Sequence, residues 1–203
     1  MTGKRQHQRL EASPKSKGLI FDLDGTLIDD LDLHWQAWSS ACRHFGAEAD
    51  HQFFLSLTGK PVGKIAQILI DEYNIPTTAD EIVSLKERFV YQHIDEVGIF
   101  PAVVDVVKAN YGRLPMAVGT GSDRRRAIMM LANAGIDGMF DALVCAEDVD
   151  NHKPAPDTFL RCAQLMNVRP EECQVFEDGQ LGLDAARAAN MIATDVRPYL
   201  NDI

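Results

Sequence analysis

Apolar positions along this chain follow two different periods, and the change between them divides it. A short apolar run, Leu19-Ile20-Phe21, leads into Asp22-Leu23-Asp24-Gly25-Thr26-Leu27-Ile28-Asp29. A run that short, entered from polar residues and closed by a glycine turn, predicts the buried first strand of a parallel sheet. From there to residue 97 the period is helical. Helices are predicted over 33–42 and on toward Gly46, over 50–57, 63–73 and 78–97, with turn signals at Thr58-Gly59-Lys60-Pro61 and Asn74-Ile75-Pro76. No strand is expected to interrupt them. A helical block of this size between a first strand and later ones predicts an inserted cap domain at 30–97, not one crossover helix.

From Pro101 the period alternates. Helices are predicted over 102–110, 124–134, 157–166 and 182–189, and strands over 116–119, 142–146, 173–177 and 191–196. Such alternation predicts an α/β fold, a doubly wound parallel sheet built from 18–29 and 98–203 with the α-helical cap inserted between them. Ligands then sit beyond the carboxyl ends of the strands, at a switch point. Residues 1–17, rich in Lys, Arg, Gln and Ser and without apolar period, predict a flexible basic tail.

Composition narrows the partners. With 203 residues, 46% of them hydrophobic, the chain can bury one good core beside a smaller inserted one. Its net charge of −10 disfavours nucleic acid as a partner, so a phosphorylated ligand must find local cations. Cys42, Cys145, Cys162 and Cys173 show no C-x-x-C spacing and read as buried reduced thiols, which fits a cytoplasmic location. No run is long enough to span a membrane and the first residues lack the apolar stretch of a signal peptide, so neither membrane nor export is expected.

The candidate chemistry lies at four strand ends. Asp22 and Asp24 alternate along the first strand, which turns both carboxylates to one side. Two such carboxylates persist together only if a cation neutralises them or one holds a proton, and both arrangements suit phosphoryl transfer. Read alone, Asp-x-Asp-Gly is more often a turn, and the apolar strand before it with the matching residues downstream reverses that reading. The second strand exits through Thr120-Gly121-Ser122-Asp123, hydroxyls and amides leading into a helix N-terminus, which is a phosphate site or a simple cap. The third exits through a proline-stiffened loop, Lys153-Pro154-Ala155-Pro156, able to hold Lys153 toward a phosphoryl oxygen. The fourth exits through Glu177-Asp178-Gly179, a second acidic pair suited to a hard cation.

In this order, Asp-Leu-Asp-Gly-Thr, Val-Gly-Thr-Gly-Ser, Lys-Pro-Ala-Pro-Asp and Phe-Glu-Asp-Gly resemble the motifs of the haloacid dehalogenase superfamily, in the branch of beta-phosphoglucomutase and the small sugar-phosphate phosphatases. The likeness runs from Lys17 to Arg197. It implies a Rossmann-like core, Mg²⁺ as cofactor, and a small phosphorylated sugar as substrate. By position it makes Asp22 the nucleophile, Asp24 the acid and base, and Lys153 the neutralising cation. Thr120, with Gly121 and Ser122, would bind the phosphoryl group. Asp22, the carbonyl of Asp24 and Asp178 would hold the metal, with Glu177 as a further ligand or its support.

A carboxylate at Asp24 favours phosphate esters over dehalogenation within that resemblance. In the mutase branch the cap loop, here residues 58–64, carries an arginine where Val62 stands, and the hinge carries Thr where Asp30 stands. A phosphatase is therefore expected, the phosphomutase being the alternative. Lys60 and Lys64 are the cations that loop retains, and Lys60 is expected to contact the sugar phosphate. His34 is either functional or a packed, hydrogen-bonded side chain beside Trp35. A receiver-like phosphorylation switch shares the residue types, but it separates its acid pair from its phospho-acceptor and lacks the helical insert. The sequence leaves the particular sugar and the oligomeric state open, and a monomer suffices for this chemistry.

Overall fold

The structure, a computed structural model, describes residues 9–58 and 60–200. The chain forms two compact units, one of residues 1–29 and 98–203, the other of residues 30–97.

In the first unit β1 (Gly18–Phe21), β4 (Met116–Gly119), β5 (Ala142–Val144), β6 (Cys173–Glu177) and β7 (Ile192–Asp195) form one sheet in the order β5-β4-β1-β6-β7, every pairing parallel. This is the doubly wound Rossmann-like core that the alternation predicts. β1 lies at the centre, where the strand order reverses, with Phe21 opposite Val118 on one side and Phe176 on the other. Both faces of β1 are fully buried, hence its unbroken apolar run. Ile20, Ala117, Val144 and Val175 pack against Phe159, Cys162 and Ala163 of α7 (Asp157–Met166) and Ala185 and Ala186 of α8 (Gln180–Ala188). Of the alternate set, Phe21 stacks on Phe176 with centroids 4.8 Å apart. Buried valines of α5 (Pro101–Asn110) and Ala127, Met130 and Leu131 of α6 (Arg124–Asn133) complete this unit's helical cover.

The first unit also departs from the sequence expectation. Ile28–Asp29 (β2) pairs antiparallel with Gly98–Ile99 (β3), a ribbon whose two-residue strands are too short for any period to reveal. A short helix, α9 (Arg197–Leu200), follows β7. Residues 1–8 of the expected flexible tail lie outside the described residues, whereas 9–17 are anchored at several points. Leu10 is buried, Ser13 N–H and Ser16 Oγ donate to Gln174 Oε1 at 2.7 and 3.0 Å, and Lys17 N–H donates to Glu172 O at 2.8 Å. The buried Gln174 amide supplies an acceptor that composition could not disclose.

The second unit is all helical: α1 (Leu31–His44), α2 (His51–Leu55), α3 (Val62–Tyr73) and α4 (Ala79–Gln92). Asp50 and Thr78 cap α2 and α4, accepting the Phe53 and Glu81 N–H groups. Asn74, at φ +50°, ends α3. Its core joins Trp38, Phe54, Leu57, Ile65, Leu69 and Ile82. The helix expected over 78–97 stops at Gln92, and a single tight turn at Ile94–Glu96 follows. Among the described residues no helix is long and apolar enough to cross a membrane.

Candidate active site

Polar side chains gather where β1, β4 and β6 end and where the chain leaves β5. The Asp22 N–H donates to Phe176 O at 3.0 Å, which extends the ladder one residue past β1 and fixes Asp22 by its backbone. Its carboxylate is buried. The chain then turns back: Leu27 and Ile28 N–H both donate to Leu23 O, and Gly25 N–H donates to Ile28 O at 2.9 Å. Gly25 has φ +82°, and a Cβ there would lie 2.6 Å from Asp178 Oδ2, so the turn needs glycine both for its conformation and for space.

Asp22, Glu177 and Asp178 each bring a carboxylate oxygen within 4.8 Å of the others. Lys153 Nζ donates to Asp22 Oδ1 at 2.5 Å and to Glu177 Oε2 at 2.7 Å, and lies 4.7 Å above the Phe159 ring. Glu177 Oε1 accepts the Gly179 N–H at 2.9 Å, so both its oxygens are engaged. Thr26 Oγ1 donates to Asp178 Oδ1 at 2.9 Å and accepts the Asp178 N–H at 3.2 Å, clamping that residue.

Burial, then the charge of Glu177, pushes the Asp22 carboxyl well above the ordinary aspartate range despite Lys153. Burial and Glu177 also raise Asp178, to about 6. Burial alone would lower Lys153, but Asp22 and Glu177 outweigh it and hold the ammonium above the usual lysine range. An ion pair normally depresses its acid. Here burial decides the direction, and the neighbouring carboxylates around one ammonium add to it. Crowded, buried hard-oxygen donors with surplus negative charge fit a hard divalent cation.

Asp24 faces other partners. Its Oδ2 accepts from Thr120 Oγ1 at 2.9 Å and from Ser122 Oγ at 2.7 Å. The expected single pocket for both aspartates is thus divided between an acidic, lysine-bearing side at Asp22 and a hydroxyl side at Asp24. Gly121 is exposed, and a Cβ there would meet nothing within 4 Å. Asp123 caps α6 by accepting the Arg126 N–H at 3.0 Å, so that residue serves the cap.

Lys60 belongs to the helical unit, exposed on the connection between α2 and α3, and Lys64 is exposed in the first turn of α3. His34 Nε2 lies 3.1 Å from Asp30 Oδ2, one turn away on α1, while Trp35 packs on Phe54 and His51. Thr26, Phe159 and Arg126, which donates to Ser122 Oγ at 2.6 Å, complete the site without having been singled out in the sequence. Thr26 carried a signal, as a polar residue inside an apolar turn. The other two sit on helices, where their types are ordinary.

A profile of the haloacid dehalogenase-like hydrolases matches residues 19–196. The chain is 46% identical over 181 residues to the fructose-1-phosphate phosphatase YqaB of Escherichia coli, covering 89% of this chain and 96% of that one. It is 27% identical to a phosphorylated carbohydrates phosphatase of Thermotoga maritima, covering 86% and 82% of the two chains. The crystal structure of beta-phosphoglucomutase from Clostridium difficile superimposes with a TM-score of 0.73 at 27% identity, over 89% of this chain and 84% of that one.

Proposed function

We propose, from the premise that this chain belongs to the haloacid dehalogenase-like hydrolase family, that it is a cytoplasmic Mg²⁺-dependent phosphatase of small sugar monophosphates. The observation that carries this reading is the meeting of a buried aspartate, a lysine and a second aspartate held by hydroxyls, from strand ends far apart in sequence. Asp22 attacks phosphorus and forms an aspartyl-phosphate while Asp24 gives its proton to the departing sugar oxygen. Water then attacks the aspartyl-phosphate, Asp24 takes the water's proton, and Asp22 is regenerated. Lys153 offsets negative charge on Asp22 and the phosphoryl oxygens, and Glu177 holds Lys153 in place. Thr120, the Gly121 amide and Ser122 border the space for those oxygens. Asp22, Asp178 and the Asp24 carbonyl would hold Mg²⁺, with Glu177 as a further ligand or support, and the ion would supply the charge that lets an anionic ester approach the carboxylates.

The relative named as a fructose-1-phosphate phosphatase supports a ketose or hexose phosphate as substrate. Lys60 is assigned to sugar selection, so Lys60→Ala should weaken sugar-phosphate turnover more than that of a small aromatic phosphate. Four buried free cysteines accord with a reducing compartment. The structural likeness to a beta-phosphoglucomutase sustains the second reading, a mutase. The phosphatase reading predicts that β-glucose 1-phosphate with catalytic 1,6-bisphosphate gives free phosphate. Glucose 6-phosphate with little free phosphate would overturn it in favour of the mutase.

A further inference from the structure

Arg126 stands in the first turn of α6, where its backbone N–H is tied to the Asp123 cap. Its side chain runs back toward the helix start, as helical geometry directs, and Nη2 donates to Ser122 Oγ at 2.6 Å. A guanidinium offers donors only and stays charged. Ser122 Oγ therefore accepts from Arg126, and its one proton is directed along the 2.7 Å contact to Asp24 Oδ2. Thr120 is polarised in the same sense. Its Oγ1 accepts the Ser122 N–H at 2.9 Å, so its proton also goes to Asp24 Oδ2, at 2.9 Å. Two hydroxyl protons converge on Oδ2, and an acid proton placed there would face both.

We propose that Arg126 is a positioning residue that, through Ser122, keeps Asp24 Oδ2 an acceptor and places the transferable proton of Asp24 on Oδ1. This rests on the assignment of Asp24 as acid and base. In the first step the Oδ1–H bond breaks and its proton joins the ester oxygen, which takes the electron pair of the breaking P–O bond. In the second a water proton passes to Oδ1 as the water oxygen bonds to phosphorus and the bond to Asp22 breaks. Ser122 accordingly serves Asp24 and not the substrate. The inference goes beyond the general reading, which left Ser122 beside the phosphoryl group and gave Arg126 no part.

The test compares Arg126→Met, Arg126→Lys, Ser122→Ala and the Arg126→Met/Ser122→Ala double variant on fructose 1-phosphate and 4-nitrophenyl phosphate. Arg126→Met should lower kcat for the sugar ester about tenfold, a part of what a general acid supplies, with KM nearly unchanged. In kcat/KM, which leaves out the shared hydrolysis of the aspartyl-phosphate, the nitrophenyl ester, whose leaving group departs without a proton, should lose about threefold at most. Lysine, also donor-only, should restore most of the activity, and the double variant should be no slower than Ser122→Ala. Equal loss of kcat/KM on both esters, a rise in KM alone, no loss, or additive losses in the double variant would each overturn the proposal. Melting of the same four variants separates this from the function itself. If the wild type cleaves neither ester, the phosphatase reading falls and melting alone judges the Arg126–Ser122 link. Non-additivity of about 2 °C or more supports the link, and additive shifts overturn it.

Discussion

Lys153 brings its ammonium to Asp22 and Glu177 at once, and both partners are buried. Lys153→Met leaves two buried carboxylates without their cation, so the protein should lose about 3 kcal/mol of stability near neutral pH. Carboxylates in that variant are relieved by taking up protons, so the deficit in melting temperature should shrink from pH 8 to pH 5. A deficit that grows on acidification would contradict the charge assignment. Asp22→Asn acts differently. A neutral amide cannot form the aspartyl-phosphate, so turnover should fall by about 10³-fold or more. The fold should persist, because burial and Glu177 already oppose the Asp22 charge. Unchanged circular dichroism with no phosphate release is the expected pair of results, and appreciable hydrolysis by the folded variant would refute the nucleophile.

At the scale of elements, the site depends on α8 approaching the end of β6 closely. A Cβ on Gly182 would lie 2.1 Å from Glu177 Cδ and Oε2, so glycine here provides room for a carboxylate. Inside a helix, alanine ordinarily gains about 1 kcal/mol over glycine. Gly182→Ala should instead lose about 1–3 kcal/mol through overpacking. By pushing Glu177 it should also displace Lys153 and slow turnover. A more stable, fully active variant would show that Glu177 is free to move. Side-chain caps at Asp50, Thr78 and Asp123 mark helix starts that the sequence located, and α7 keeps its expected bounds without such a cap. The β2–β3 ribbon escaped because its strands hold two residues each and its pairing joins positions on either side of the helical unit.

At the scale of the whole molecule, the fold buries acidic groups from separate strand ends together, and this sets a dependence on pH and metal. Asp22 and Asp178 have folded-state pKa values raised above their ordinary ones, Asp178 to about 6. Groups raised in this way stabilise the fold below the unfolded pKa, and that stabilisation is lost as pH rises through the folded value. In excess chelator the contribution of Asp178 should therefore decline between about pH 4 and pH 6, with that of Asp22 falling in the same direction, read as a falling melting temperature across that window. Mg²⁺ should raise the melting temperature above that window and restore turnover. A chelated protein that keeps full activity would remove the metal from the proposed function.

By itself the sequence determined the strand and helix alternation, the helical insert, and the positions where polar residues leave the strands, because local apolar period and turn chemistry act over a few neighbouring residues. It also marked Gly25, since an aspartate pair followed by glycine requires an immediate turn. Only the tertiary structure decided which groups meet. Lys153 reaches Asp22 across 131 residues of chain, and Thr26 reaches Asp178 across 152. The second meeting follows from a strand order that sets β6 beside β1, while Lys153 arrives on the loop after β5, with β4 between that strand and β1. The same placement sends Asp22 to a lysine and Asp24 to two hydroxyls, although the strand period would face them alike. Hydrogen-bond partners are chosen by distances between strand ends, and no periodicity along the chain encodes those distances.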